Sequence, residues 1–308
     1  MKRNVIIILT VICLISCEKD KVGEEIALSN KGMQKYLLTF WDTNKDGILS
    51  KEEALEVTDI WIENSQESII DGLEHFPNLE ELHIGSGNYT GIDVSKNYKL
   101  KKLSVNLTKI KTLDLTSNQE LEVLIFLGRE LESISLGAKY KLTELSLSDV
   151  DKLSFLDVRG CPNLIQLSCC YSLLTELDVR HNPHLERIVC YKTLVESIDL
   201  RNNPKLKSLN CGGNKLLTKL DVSENTELSI FLCGGNSMLT KIDVSNNTEL
   251  FEFECSGNVL MTTLDVSNNT KLESLFCNGL LGMTTLDVSN NPKLWQLHCQ
   301  YIGKENSR

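Results

Sequence analysis

The sequence predicts a β-rich repeat solenoid with two short parallel strands in each coil and a small helical cap at its N-terminal end. Three observations predict it. A triplet that mostly reads Leu/Ile-Asp-Val recurs from Ile92 to Leu286, ten times at a spacing of 21 or 22 residues. Within each recurrence apolar and polar residues alternate, which is the period of a strand rather than of a helix. One acidic twelve-residue loop of different chemistry, starting at Asp42, precedes the first recurrence. A fixed short period over this many units means coils that each stack only on their neighbours.

Composition bounds the rest. The chain has 308 residues, 41 % of them hydrophobic, which is enough for a sizeable core. Its 42 acidic against 32 basic residues, net -10, argue against nucleic acid as a partner, and no basic cluster interleaved with aromatics occurs.

The elements follow in chain order. Residues 1–16 read as a signal peptide: the basic head Met1-Lys2-Arg3, an apolar run from Val5 to Ile15, and the small Ser16 before Cys17. The ending Leu14-Ile15-Ser16-Cys17 resembles the lipobox of bacterial lipoproteins, in which cleavage precedes the cysteine and the thiol is lipidated. The resemblance implies a lipid anchor on Cys17 and a place in the bacterial cell envelope, at the outer membrane and exposed on the surface. Residues 17–30 are a polar, acidic tether. Its start, Glu18-Lys19-Asp20-Lys21, is similar to export signals of Bacteroidetes surface lipoproteins.

Residues 31–60 form the expected cap. From Asp42 the chain reads D-x-N-x-D-G followed by Glu53 in the twelfth position. Calcium prefers about seven hard oxygens in a flexible cage. Asp42, Asn44 and Asp46 offer side-chain oxygens, Ile48 its carbonyl, Ser50 a hydroxyl or a bridged water, and Glu53 two oxygens; Gly47 permits the sharp turn. The loop resembles an EF-hand, which implies Ca²⁺ as the bound ion. Met33, Leu37, Leu38 and Trp41 share one side of an incoming helix, and Ser50 with Glu53 make a capping box for the outgoing one. EF-hands commonly pair, and a single loop is found. It is expected to fold over the first coil and stabilise the solenoid end rather than act as a sensor.

Residues 61–301 form the solenoid. Each unit has two similar halves, such as Leu206 to Leu216 (L-x-x-L-x-C-x-x-N-x-L) and Leu217 to Leu228. These resemble the leucine-rich repeat, in its short nested bacterial subclass. Units around Leu124 to Leu153 depart most from the pattern. Residues 302–308 are a tail, and Tyr301 is the one residue available to close the C-terminal coil.

Three columns follow from the register. Cys169, Cys190, Cys211, Cys233, Cys255, Cys277 and Cys299 share one inward position. Equivalent side chains on stacked strands lie about 4.8 Å apart, too far for a disulfide, and no C-x-x-C cluster suggests metal, so buried thiols are expected. Cys170 faces outward. A second column, Asn118, Asn182, Asn203, Asn225, Asn247, Asn269 and Asn291, should satisfy turn backbone groups, with Cys161 in one of its places. The third is the aspartate of the triplet, from Asp93 to Asp287. It is either locally hydrogen-bonded or a cation-binding rail, with Arg159, Arg180 and Arg201 either pairing with it or forming an anion patch.

Function is expected on a surface. No catalytic constellation is readable: none of the five histidines lies in a metalloprotease motif, and His181 and His184 share a solvated turn. The central outward positions of the strand that holds the cysteines run Ser168, Val189, Asn210, Leu232, Glu254, Phe276 and His298. Leu232, Phe276 and Ile230 have no core reason to be apolar, so Tyr191, Ile230, Leu232, Phe276 and His298 are the candidate contact residues for a protein or glycan. The expectation is a monomeric, calcium-binding, lipid-anchored surface protein. The competing expectation is an envelope spacer without a dedicated ligand.

Overall fold

The computed structural model describes residues 24–63 and 67–300. Cys17, the signal segment, part of the tether, Tyr301 and the tail lie outside the described residues. The cap contains α1 (Lys31–Phe40) and the short α2 (Lys51–Ala54). The strands are β1 (Asp59–Ile62), β2 (Glu81–Ile84), β3 (Lys102–Asn106), β4 (Thr112–Asp114), β5 (Val123–Leu127), β6 (Ser133–Ser135), β7 (Glu144–Ser148) and β8 (Gln166–Cys169). They continue with β9 (Arg187–Val189), β10 (Ser197–Ile198), β11 (Ser208–Asn210), β12 (Lys219–Leu220), β13 (Ile230–Leu232), β14 (Glu252–Glu254), β15 (Ser274–Phe276) and β16 (Gln296–His298).

Twelve of these strands form one parallel sheet in the order β1-β2-β3-β5-β7-β8-β9-β11-β13-β14-β15-β16. Consecutive coils therefore pair without a crossover, which is the definition of a solenoid and explains the fixed repeat length. The register is maintained from Asp59↔Glu81 to Phe276↔His298. The least regular units by sequence, around Leu124 to Leu153, form two of the longest strands, β5 and β7.

The second half of each coil behaves differently from expectation. It pairs only as β4 with β6 and β10 with β12, and elsewhere it is turns. Asp93, Asp114, Asp221, Asp243, Asp265 and Asp287 each accept a hydrogen bond at Oδ1 from the backbone N–H two residues on, which closes the turn that follows the triplet. The bond is present both in coils that pair here, at Asp114 and Asp221, and in coils that do not.

The core is a set of columns. One runs Ile60, Leu82, Leu103, Leu124, Leu145, Leu167, Ile188, Leu209, Phe231, Phe253 and Leu275, all buried. The next runs Ile62, Ile84, Val105, Phe126 and Leu147, then Cys169, Cys190, Cys211, Cys233, Cys255 and Cys277. These cysteines are free and buried, as expected; Cys299 differs and is exposed, with no coil above it among the described residues. Burial pushes the Cys190 and Cys277 thiols up to about 12. Small thiols lie beside large neighbours: Phe231 and Phe253 stack with ring centroids 5.3 Å apart, next to Cys233 and Cys255. In these two coils the larger ring fills space beside the small thiol.

Two ladders of asparagine tie the coils together. In the first, each Nδ2 donates to two carbonyls of the preceding coil: Asn118 to Val94 and Asn97, Asn203 to Val179 and Asn182, and so on to Asn291. The second, Asn214, Asn236 and Asn258, caps cysteine carbonyls, as when Asn236 donates to Cys211 and Cys233. The first ladder is interrupted at two adjacent places, by the buried Lys139 and by Cys161.

Candidate functional site

The outward face of the large sheet carries the residues predicted to bind. Ile230 and Leu232 are the outward residues of β13, and Phe276 and His298 occupy the same register on β15 and β16. The Phe276 and His298 rings stack at 4.9 Å and 15°. Ile230, Leu232, Phe276 and Tyr191 are half-buried and His298 is exposed, so each presents apolar or aromatic surface to solvent.

Between Leu232 and Phe276 lies Glu254. Its Oε2 accepts from the Gly234 N–H at 2.9 Å and its Oε1 from the Ser256 N–H at 3.0 Å. A Cβ at Gly234 would lie 2.4 Å or less from both carboxylate oxygens, so this glycine is what allows the acid to lie flat on the sheet. Glu252, two residues earlier on β14, makes no ion pair among the described residues. The face is thus an apolar strip around a fixed carboxylate.

Tyr191 belongs to a second cluster. Its ring meets that of Tyr171 edge-on at 5.5 Å, and Lys192 Nζ sits 5.1 Å and 5.2 Å from the two ring centroids. Tyr171 and Lys192 have φ of 52° and 54°, in register with Gly213, Gly235, Gly257 and Gly279 of later coils. A left-handed tyrosine or lysine costs energy that glycine avoids, and such strain gathers at functional positions. Leu107 and Asp149 hold the same left-handed position in earlier coils, so the strain belongs to the turn of the repeat, and the rings and the lysine are what set this cluster apart. Cys170 lies nearby, half-buried, with Sγ 3.4 Å from Ser168 Oγ.

The aspartate column resolves into local bonds. Arg159, Arg180 and Arg201 each clasp the aspartate two residues before them through Nε and Nη2, at 2.7–2.9 Å. Those hydrogen bonds hold the Asp157, Asp178 and Asp199 carboxyls below the usual range. The three guanidiniums are thereby paired, while Asp93, Asp114, Asp221, Asp243, Asp265 and Asp287 bond the backbone N–H two residues on. His184 Nδ1 is 3.1 Å from Lys205 Nζ, in an exposed turn with His181.

The twelve-residue loop folds as a compact turn. Asp42 accepts from the N–H groups of Asp46 and Gly47, Asn44 from Asp46, and Asp46 from Ile48, all at 2.9–3.2 Å. Gly47 has φ 86°, and nothing would obstruct a Cβ there, so its role is conformational. Glu53 closes the loop: Oε1 accepts from the Thr43 N–H at 2.7 Å, and Oε2 from the Ser50 N–H and hydroxyl. Burial raises the Glu53 pKa, but the bonds from Ser50 and Thr43 outweigh it and bring it to about 2. The donor types fit a hard divalent cation. Among the described residues no three His, Cys, Asp or Glu side chains converge on one point, and Glu53 is turned onto the N–H and hydroxyl groups of Thr43 and Ser50. Leu49, where a second hand would pair, is met instead by the chain's own N-terminal segment: Ile26 N–H donates to Leu49 O at 2.9 Å, and Glu25 bridges Ser50.

Solved structures resemble this chain. The functional domain of InlJ from Listeria monocytogenes, described as including a cysteine ladder, is 30 % identical with a TM-score of 0.56; the match covers 83 % of this chain and 65 % of that one. This chain therefore spans less than two thirds of the InlJ domain. The internalin InlF of Listeria monocytogenes is 18 % identical with a TM-score of 0.59, over 90 % of this chain and 96 % of that one. A leucine-rich repeat protein of Leptospira interrogans is 17 % identical with a TM-score of 0.56, over 82 % and 74 %. No protein-family model and no curated protein matches. The fold is a parallel-strand solenoid of about 11 turns like those of these bacterial leucine-rich repeat proteins.

Proposed function

We propose that this chain is a binding protein of the bacterial cell surface that holds a protein partner against the outward face of its large sheet. The observation that carries this reading is the strip of Ile230, Leu232, Phe276 and His298 around the anchored Glu254. Apolar side chains on a solvent-facing sheet have no core to serve, and apolar groups on either side of a fixed acid suit an interface. The likeness to internalins supports a surface repeat protein of this kind. Cys17, as the lipid-bearing residue, would tether the rod to the envelope.

Calcium belongs to the same proposal as a stabiliser of the cap. Asp42, Asn44, Asp46, the Ile48 carbonyl, Ser50 and Glu53 would hold the ion, and the ion would supply positive charge that draws these oxygens together. Glu53 would have to exchange its hydrogen bonds to Thr43 and Ser50 for the metal.

The test uses the soluble, unlipidated chain to capture partners from host and bacterial surface extracts, with and without calcium. Leu232→Ser together with Phe276→Ser should remove the captured protein while circular dichroism stays unchanged. Capture that survives this pair of changes would reject the assignment of the face. Calorimetry with CaCl₂ tests the loop separately: a wild type without binding heat ends the calcium reading and leaves the face untouched.

A further inference from the structure

A second concave feature lies far along the sheet from Leu232, where the cap meets the first coil. It is a groove of about 500 Å³ lined by Gly32, Lys35, Tyr36, Thr39 and Phe40 of α1 and by Trp61 and Glu63 at β1. This volume is within the range of small-ligand sites.

Three aromatic rings shape it; Tyr36 also packs against the core, and the other two are largely free of it. Phe40 is 65 % exposed and Trp61 48 %. Tyr36 and Phe40 lie one helical turn apart with centroids 4.8 Å from each other. Tyr36 is fixed by its hydroxyl, which donates to Asp59 of β1. The Trp61 indole is stacked on the His83 imidazole of the next coil at 3.7 Å and 18°, and His83 Nε2 is 3.3 Å from Glu81. One face of the indole is thus backed by a held ring, and Trp61 lines the groove. The platform is built from a helix and two paired strands, so little ordering remains to be done on binding.

The rim decides what the platform accepts. Lys35 and Glu63 line the groove with one charge of each sign. A cation would meet Lys35, an anion would meet Glu63, and a hydrocarbon chain would strip water from both. A neutral ligand with an apolar face and hydroxyls around its edge suits all of these groups at once. Its C–H face would lie on Trp61 and its hydroxyls would reach Lys35, Glu63 and Thr39. Thr39 Oγ1 donates to the Lys35 carbonyl and so keeps its lone pairs for an incoming hydroxyl. We infer that this groove is a carbohydrate subsite that stacks a pyranose ring of a neutral glycan on Trp61.

The experiment is saturation-transfer NMR and calorimetry on the wild-type chain. The probes are four neutral trisaccharides (β-1,4- and α-1,4-linked glucose, N-acetylchitotriose and α-mannotriose), with tri-lysine and trigalacturonate beside them. At least one neutral sugar should bind, with transfer to its ring C–H protons. Trp61→Ala and Phe40→Ala should each weaken it by about tenfold or more. Phe40 is largely exposed, so its variant tests the groove even if Trp61→Ala disturbs the first coil. Leu232→Ser with Phe276→Ser should leave sugar binding unchanged, which separates this site from the protein-binding face. Absence of transfer to all four sugars, stronger binding of either charged probe, or binding that survives Phe40→Ala and Trp61→Ala would each overturn the inference.

Discussion

Lys139 occupies a rung of the first asparagine ladder, and replacing it with asparagine should stabilise the protein. One coil earlier, Asn118 Nδ2 donates to the Val94 and Asn97 carbonyls at 2.9 Å each. The matching acceptors for residue 139 are the carbonyls of Leu115 and Asn118. These receive only the turn N–H groups of Asn118, at 2.9 Å, and Leu121, at 3.3 Å. Lys139 is buried, makes no ion pair among the described residues, and its Nζ reaches only the Ala138 carbonyl at 3.5 Å. Lys139→Asn adds two hydrogen bonds, about 1 kcal/mol each, and removes a poorly solvated ammonium. Loss of the lysine stem leaves a small void that offsets about 1 kcal/mol. The net expectation from these two terms is a gain of about 1 kcal/mol, increased by removal of the ammonium.

A repeat array need not unfold in one step, so the assay is hydrogen exchange across residues 121–158 together with denaturant unfolding. Lys139→Met is the control, since it removes the charge without supplying donors and should gain less. The pH dependence provides an independent check. Burial lowers the Lys139 pKa below that of the unfolded chain. Between the folded and unfolded values the unfolded state binds more protons, so wild-type stability rises with pH there. The advantage of the asparagine variant should shrink as pH climbs towards about 10.4. If Lys139→Asn is no more stable than Lys139→Met at neutral pH, the ladder argument is wrong.

Other outcomes follow from the same geometry. In the folded protein, alkylating reagents should modify Cys170 and Cys299 quickly and leave Cys169, Cys190, Cys211, Cys233, Cys255 and Cys277 protected, as mass mapping would reveal. Without calcium, the cap should loosen in acid. The folded Glu53 pKa is about 2 against about 4.3 unfolded, so its contribution is present above pH 4.3 and lost as pH falls towards 2; Trp41 fluorescence reports it. Gly234→Ala should displace the Glu254 carboxylate and weaken the captured partner while the coil stays folded, since the three atoms nearest the added methyl all belong to that flexible side chain.

Much of this was legible in the sequence because each coil writes its own registration. The ten triplets fix which residues stack, and the buried thiols, the asparagine column and the outward strip all follow from that one alignment. The second strand of each coil was not legible. Ile242-Asp243-Val244 alternates like a strand, yet it pairs with no neighbouring coil among the described residues. Alternation reports which side chains point inward; it does not report whether the backbone stays extended. Nor could the sequence place Trp61, because the groove it lines is made by α1 docking on β1, a contact that no repeat register encodes. Glu254 was visible only as an outward acid; its anchoring depends on a glycine twenty residues earlier becoming its neighbour.

The thiol column and the second asparagine ladder are best understood as one device. From Cys169 to Cys255 the residue three places after the cysteine is Ser172, Thr193, Asn214, Asn236 or Asn258, and after Cys277 it is the buried Leu280. Ser172 donates to the Cys169 carbonyl, and the three asparagines do the same for Cys211, Cys233 and Cys255. In the coils where this core position holds Val105 or Leu147, the residue three places on is Thr108, whose hydroxyl lacks a partner, or the apolar Val150. A polar side chain can turn inward to cap the strand's last carbonyl only if the neighbouring core residue is small. Cysteine provides that room without giving up an apolar interior. Restoring bulk with Cys233→Leu should therefore break the Asn236 bonds to Cys211 and Cys233 and destabilise the coil, although leucine is the larger hydrophobe. If that variant were more stable, small size would not be the reason cysteine stands there.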